Sequence, residues 1–179
     1  MIQNQFNKDG FCIVKNAYDT KSLWEYVKTK INEGNIHDGQ SPGNPSFYKD
    51  VELCKIHIKL LSLMEECTGM KLYPTYTYHR IYKTGAILNP HIDRPACEIS
   101  SSLCIGYEGD YNWPLWLKDK NGQNKEYILE PGDMLVYRGC EIEHWREPYI
   151  KGVLHCAGFL HYVDQNGPYS NCIYDMVKM

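Results

Sequence analysis

No stretch of this chain comes near the roughly 18 consecutive apolar residues that a membrane-crossing helix needs, so no span is expected. The opening residues Met1 to Asp9 hold no basic start and no apolar run, so they do not read as a signal peptide. A basic excess is also missing. Lysine and arginine number 19 against 22 acids, a formal net charge of −3, which speaks against a nucleic-acid partner. Paired cysteine motifs are absent too. Cys12, Cys54, Cys67, Cys97, Cys104, Cys140, Cys156 and Cys172 are scattered with no C-x-x-C pair, which indicates neither a zinc site nor a short secreted disulfide framework. Several lie in apolar runs such as Phe11-Cys-Ile-Val14, where a thiol behaves as a small buried hydrophobe. Reduced thiols and the missing leader predict a cytoplasmic protein. No internal repeat or low-complexity tract is found.

What is present is an ordinary globular composition, 43% hydrophobic and 23% charged over 179 residues, enough for one domain with a substantial core. Helical signals come early. Asp19-Thr20 offers an N-cap, Leu23, Trp24, Val27 and Ile31 recur at helical spacing, and Gly34 is a stop. A second helix is expected over 50–67, capped by Asp50, with Val51, Cys54, Ile58, Leu61 and Met64 on its apolar face and Gly69 ending it. His57 falls on that helix as a partly exposed residue. Between the two helices, Asn35 to Ser46 holds Gly39, Pro42, Gly43 and Pro45, a loop of a length that can serve as a lid.

Strand signals start with Phe11 to Val14 after a Gly10 turn and dominate from Lys71 onward. The run Pro74 to Tyr82 is aromatic and β-branched. It places Tyr76, Tyr78, Arg80 and Tyr82 on one face and Thr75, Thr77, His79 and Ile81 on the other. Strands are also read at Glu98–Tyr107, Trp113–Leu117, Tyr127–Leu129, Asp133–Tyr137 and Val153–Val163. Lys120-Asn-Gly-Gln joins two of them as a hairpin, and Pro131-Gly132-Asp133 is a turn that starts another. Early helices and late strands predict a mainly β fold with N-terminal α structure. The expected architecture is a double-stranded β-helix, a cupin-like jelly roll backed by helices. The single domain 1–179 would then divide into a helical support region (1–70) and a jelly-roll core (71–168).

One pair of residues organises this reading. His91 and Asp93 stand two apart at a strand end, so their side chains point to the same face. A second histidine from elsewhere would complete a two-histidine, one-carboxylate triad with open positions, the arrangement used by non-haem Fe(II) oxygenases. His144, after the Asp133–Tyr137 strand, is the candidate. A lone strand histidine is more often a satisfied polar residue; the joint pattern outweighs that reading.

The segment Pro74 to Ser100, together with Leu129 to Gly139 and His144 to Pro148, resembles the core of the 2-oxoglutarate/Fe(II)-dependent oxygenases, the broad group that includes prolyl hydroxylases. Phe159 to Asp164 is similar to their closing strand. The resemblance implies a dioxygenase in which His91, Asp93 and His144 hold Fe(II). It implies that 2-oxoglutarate chelates the metal through its 1-carboxylate and keto oxygen, and that O2 takes the last position, with ascorbate as an optional reductant. It implies hydroxylation of a substrate coupled to formation of succinate and CO2. It also implies a basic residue on the strand after His144 for the far carboxylate.

There the chain departs from the pattern. The slot falls at His155, whereas Arg146 and Lys151 are read in the turn before that strand. His155 is therefore the expected partner, with Arg80 or Arg94 supplementing it. Arg94 could instead pair with Glu98. Tyr82 is the expected hydroxyl donor to the same carboxylate. Tyr107 is a second candidate, for which a core tyrosine is an equal reading. His79 and His161 are assigned no role, and Trp113, Trp116 and Trp145 read as core or pocket wall. A carboxylate at position 93 argues against a halogenase, where a small residue replaces that ligand. The substrate can be a protein side chain such as proline or a small metabolite, with the loop 35–48 as its determinant. Two other readings stay open: a metal-dependent cupin that does not use 2-oxoglutarate, favoured by the missing arginine, and a non-catalytic jelly-roll binding protein.

Overall fold

The structure is a computed structural model and describes residues 2–110 and 112–175. Two antiparallel sheets face each other. The larger has six strands in the order β1-β8-β5-β10-β3-β2, and the smaller has four in the order β4-β9-β6-β7. The strands are β1 (Phe11–Val14), β2 (Ser46–Tyr48), β3 (Leu72–Lys83), β4 (Leu88–His91), β5 (Ile99–Glu108), β6 (Leu115–Lys118), β7 (Asn124–Tyr127), β8 (Met134–Arg138), β9 (His144–Arg146) and β10 (Leu154–Asp164). The long pairing of β10 with β3 runs from Leu154↔Lys83 to Asp164↔Leu72. The N-terminal region is more than a helical support, because β1 and β2 form both outer edges of the larger sheet.

Helices cover the outer face of the larger sheet. They are α1 (Ile2–Asp9), α2 (Lys21–Thr29), α3 (Val51–Lys59) and α4 (Leu61–Thr68). Leu23, Val27, Leu53, Met64 and Phe6 pack there against Ile81, Leu103, Ile105, Val136 and Leu160. Burying such side chains contributes about 1.5–3 kcal/mol each. α1 escapes a periodicity search because Phe6 is its one buried residue. α2 stops at Thr29, short of Gly34, and Ile31 lies in the turn that follows.

The helix expected over 50–67 is two. The chain bends at Leu60 (φ −87°, ψ −1°), which caps the end of α3 and the start of α4. Its buried stripe also differs from the expected one. Val51 and Ile58 are exposed, and Leu53, Ile56, Leu60, Met64 and Cys67 face the sheet. Both stripes fit helical spacing, and contact with β3 selects one of them. His57 is carried inward by that choice. It is buried, its Nε2 lies 2.8 Å from the His161 carbonyl, and burial pushes its pKa down to about 4. The caps behave as expected: Asp50 accepts from Glu52 N and Leu53 N, and Gly69 ends α4 at φ 73°.

Strand β3 has the two faces its alternation predicts. Thr77 meets Cys54 of α3, whereas Tyr76, Tyr78 and Tyr82 face into the roll. The β6–β7 hairpin turns at 119–123, where Asp119 accepts from the Asn121 and Gln123 amides. Among the described residues, no helix is long and apolar enough to cross a membrane.

Candidate active site

β4 pairs with β9 so that His91 stands opposite His144. Asp93 lies just past β4, its amide donating to the Gly139 carbonyl at 2.9 Å. Three potential ligand atoms therefore meet. His91 Nε2 and His144 Nε2 lie 3.9 and 3.7 Å from Asp93 Oδ1. The opposite ring nitrogens are committed: His91 Nδ1 lies 2.8 Å from Asn89 O and His144 Nδ1 lies 3.0 Å from Ile142 O. A carbonyl can only accept, so each Nδ1 carries the proton and each Nε2 presents a lone pair inward. Asp93 Oδ2 accepts from Ser100 Oγ at 2.8 Å, and His161 Nδ1 lies 2.9 Å from that same hydroxyl. Both histidines and the carboxylate are thus oriented from behind, as ligands of a metal need to be.

Burial is the largest influence on His144 and lowers its pKa, which keeps the ring neutral and able to ligate. Tyr137 places its hydroxyl 3.3 Å from His144 Nε2. A second grouping, Asp93 with Cys97 and His161, lies alongside. Burial, with Asp93 adding to it, pushes the Cys97 thiol up to about 12, so it stays protonated and is a poor ligand. Gly139 closes the back of the site. A Cβ there would stand 2.1 Å from Cys97 O and 2.6 Å from Asp93 Oδ2.

The three side chains open on a cavity of about 310 Å³, lined also by Tyr76, Tyr78, Tyr82, Leu88, Phe159 and His161. The loop at 35–45 reaches over it. Asp38 accepts from the Tyr78 hydroxyl, from Arg80 Nη2 at 2.9 Å and from the Gln40 backbone N–H at 2.8 Å. Burial opposes the charge on Asp38, yet these donors hold its carboxyl below the usual value. Gln40 accepts from Arg80 Nη1 at 3.1 Å and places its own amide nitrogen 3.0 Å from His91 Nε2. Asp38 and Gln40 escaped sequence reasoning because loop residues carry no periodicity. His161 carries no sequence signal for the site, since its link to Asp93 runs through Ser100 on another strand.

The residues expected around the far carboxylate are placed differently from one another. Tyr82 is buried and lines the cavity. Arg94 reaches the cavity edge, but its guanidinium is ion-paired with Asp175 and lies over the Tyr76 ring, so it is already committed. Glu98 instead accepts from the Asp164 amide. Tyr107 is half-buried outside the cavity and donates to Glu130 at 3.2 Å. Arg80 is held by Asp38. His155 is not on the cavity wall. It is buried behind it between Trp113 and Tyr107, with Nδ1 unpartnered, and burial followed by the nearby Arg146 charge holds its pKa well below the ordinary value. Trp116 and Trp145 stack on each other at 6.0 Å.

Arg146 is the main departure. It belongs to strand β9, not to a turn, and is only 2% exposed. Its Nη1 donates to Trp113 O and its Nε has no partner. Among the described residues it has no carboxylate partner. A lone buried cation costs several kcal/mol unless an anion meets it. Arg146, like His155, is not among the residues that line the cavity.

No family model and no curated sequence matches this chain. Solved structures do. A Pseudomonas putida prolyl-4-hydroxylase aligns over 89% of this chain and 96% of its own, with a TM-score of 0.68 and 16% identity. A Trichoplax adhaerens prolyl hydroxylase in complex with a hypoxia-inducible-factor peptide fragment aligns over 92% and 88%, at 0.71 and 18%. The fold is that of the 2-oxoglutarate/Fe(II)-dependent oxygenases. The likeness extends to an oxygenase-fold epimerase from nogalamycin biosynthesis, SnoN, in complex with Fe3+, α-ketoglutarate and nogalamycin RO. It aligns over 91% of this chain and 82% of its own, with a TM-score of 0.72 and 10% identity. The oxygenase fold thus carries peptide and small-molecule chemistry alike in these neighbours, and identities this low speak to the fold alone.

Proposed function

We propose that this chain is a 2-oxoglutarate- and Fe(II)-dependent dioxygenase that hydroxylates a protein side chain or a small metabolite. The observation that carries the reading is the convergence of His91 Nε2, Asp93 Oδ1 and His144 Nε2, each oriented by a partner on its far side. Two imidazoles and one carboxylate suit Fe(II) and leave coordination positions open. When bound, the iron and its cosubstrate would supply the O2 chemistry of hydroxylation.

The chain's own residues orient and exclude. Ser100 and the Asn89 and Ile142 carbonyls fix the ligand side chains. Leu88, Phe159 and Tyr82 wall the cavity with apolar surface, which keeps bulk water from the reacting atoms. Asp38 and Gln40, brought over the mouth by the loop, line the opening through which a substrate would enter. The peptide in one neighbour and nogalamycin in another support both substrate classes.

Anaerobic titration tests the reading. Fe(II) followed by 2-oxoglutarate is expected to produce a weak visible metal-to-ligand charge-transfer band. Iron uptake without the band would point to a cupin that does not use 2-oxoglutarate, and no iron uptake to a non-catalytic roll. His91→Ala is expected to abolish both iron binding and succinate formation.

A further inference from the structure

Two arginines are buried inside the roll, and they differ in one respect. Arg80 on β3 has its acid, with Asp38 Oδ2 at 2.9 Å from Nη2. Arg146 on β9 has none among the described residues. Its polar contacts are Nη1 to Trp113 O and a guanidinium carbon 5.0 Å from the Trp113 ring centroid; Nε is unpartnered. Around it lie Tyr82, Tyr137, Tyr149 and His155, the last with an equally unpartnered Nδ1. A guanidinium keeps its charge at any ordinary pH. A buried guanidinium with an unpartnered N–H, near a histidine whose ring nitrogen is also unpartnered, marks a place for an acceptor that is itself charged.

Strand geometry ties this place to the metal triad. Arg146 follows His144 by two residues, so both side chains face into the roll, while Trp145 between them faces Trp116 on the outside. Across the ladder, Leu88 stands opposite Arg146 as His91 stands opposite His144. Arg146 therefore leaves the backbone one rung along the same strand pair, about 6.8 Å of strand rise from the ligand residue.

We infer that Arg146, with His155 beside it, is the anion anchor of this site and takes the far carboxylate of a short 2-oxo dicarboxylate whose other end lies at the metal. The inference rests on the cosubstrate reading above. It moves the anchor from β10, where the family likeness puts it, to β9. The missing arginine is then not missing, and the argument for a cupin that does not use 2-oxoglutarate loses its basis. A second cation on β10 would be repelled by Arg146, and a neutral histidine there avoids that repulsion while adding a hydrogen bond. Metal ligand and anchor share one three-residue strand, so a shift of β9 would move both ends of the ligand site together.

The test compares the wild-type chain with Arg146→Met and Arg146→Lys, loaded with redox-silent Mn(II). Binding of 2-oxoglutarate and of 2-oxobutyrate, which lacks the far carboxylate, is measured by calorimetry. Melting is measured in a buffer free of carboxylate, phosphate and sulfate. Arg146→Met is expected to weaken 2-oxoglutarate at least about 30-fold, the effect of removing one partner of a buried charge pair, and to leave 2-oxobutyrate unchanged. Arg146→Lys, which keeps the charge and loses the planar fork, is expected to fall between. Without ligand, Arg146→Met is expected to melt at or above the wild type, because an unpaired buried charge has been removed. Wild-type 2-oxoglutarate affinity in Arg146→Met would overturn the inference and leave the cosubstrate reading standing. An Arg146→Met chain that melts clearly below the wild type, or fails to fold, would mark a scaffold arginine and also overturn it. A wild-type chain that binds Mn(II) and no 2-oxoglutarate would overturn both.

Discussion

Gly139→Ala tests how closely the backbone behind Asp93 sets the metal ligands. The added methyl would stand 2.1 Å from Cys97 O, 2.6 Å from Asp93 Oδ2 and 2.8 Å from Ser100 Oγ, all inside the 3.0 Å that real Cβ contacts respect. The backbone cannot easily yield. Gly139 N–H donates to Glu98 O at 2.9 Å, and its carbonyl accepts from Asp93 N at 2.9 Å. The shortfall against that limit is greatest at the Cys97 carbonyl and smaller at Asp93 and Ser100, the residues that aim the carboxylate, so the segment behind the ligand must shift at an overpacking cost of about 1–3 kcal/mol. Metal affinity is expected to fall about 10- to 100-fold, the usual effect of disturbing the groups that orient a ligand. Anaerobic Fe(II) or Co(II) titration, run beside urea unfolding, reads both effects. Unchanged affinity together with unchanged stability would refute the steric argument. Lost stability with unchanged affinity would show that the carboxylate is not held by this contact.

Gln40→Ala should strengthen metal binding. The Gln40 amide lies 3.0 Å from His91 Nε2, and a metal must displace it. Removing a hydrogen bond of net worth about 1 kcal/mol predicts a gain of about fivefold, whereas a loss in the same titration would show that Gln40 supports the centre. His79 is buried, stacks on Phe47 at 4.5 Å and has both ring nitrogens unpartnered. His79→Phe should accordingly stabilise the protein by about 1 kcal/mol at neutral pH in chemical denaturation, and a destabilised variant would sink that account. The same histidine bears on acid stability. Burial pushes His57, His79 and His161 down from 6.5 to about 4. The unfolded chain takes up these protons near 6.5 and the fold resists until about 4. Stability is then fully present above 6.5 and lost as pH falls between those values, roughly 3 kcal/mol for each histidine by pH 4. Denaturation across that window should show the decline, with a shallower slope in His79→Phe; a flat profile in the wild type would contradict the burial argument.

Much of the fold is legible because strands and caps are local. Alternation along Pro74 to Tyr82 suffices to put the tyrosines on one face and Thr77 on the other, and Asp50 and Gly69 mark helix ends by their own chemistry. The errors have physical causes. Two apolar stripes on 51–67 satisfy the same period, and only contact with β3 chooses between them, which is how His57 came to be placed at the surface. A three-residue strand such as β9 is too short to show alternation, so the sequence around Arg146 resembles a turn. Tyr107 and Arg94 have the right residue types, but Glu130 and Asp175 claim them from distant parts of the chain.

The sequence by itself sets His91 and Asp93 two residues apart at a strand end; β4 stops at His91, so the Asp93 N–H bond to Gly139 O, and not strand alternation, holds the carboxylate beside it. It also determines a β-rich roll with helices ahead of it. The tertiary structure alone decides that His144 stands opposite His91, that Asp38 and Gln40 arrive from a loop, and that Arg80 has an acid where Arg146, among the described residues, has none. Whether a charge is paired depends on what the whole fold brings to it. For that reason the lack of a carboxylate partner for Arg146 among the described residues is legible only from the interior of the roll.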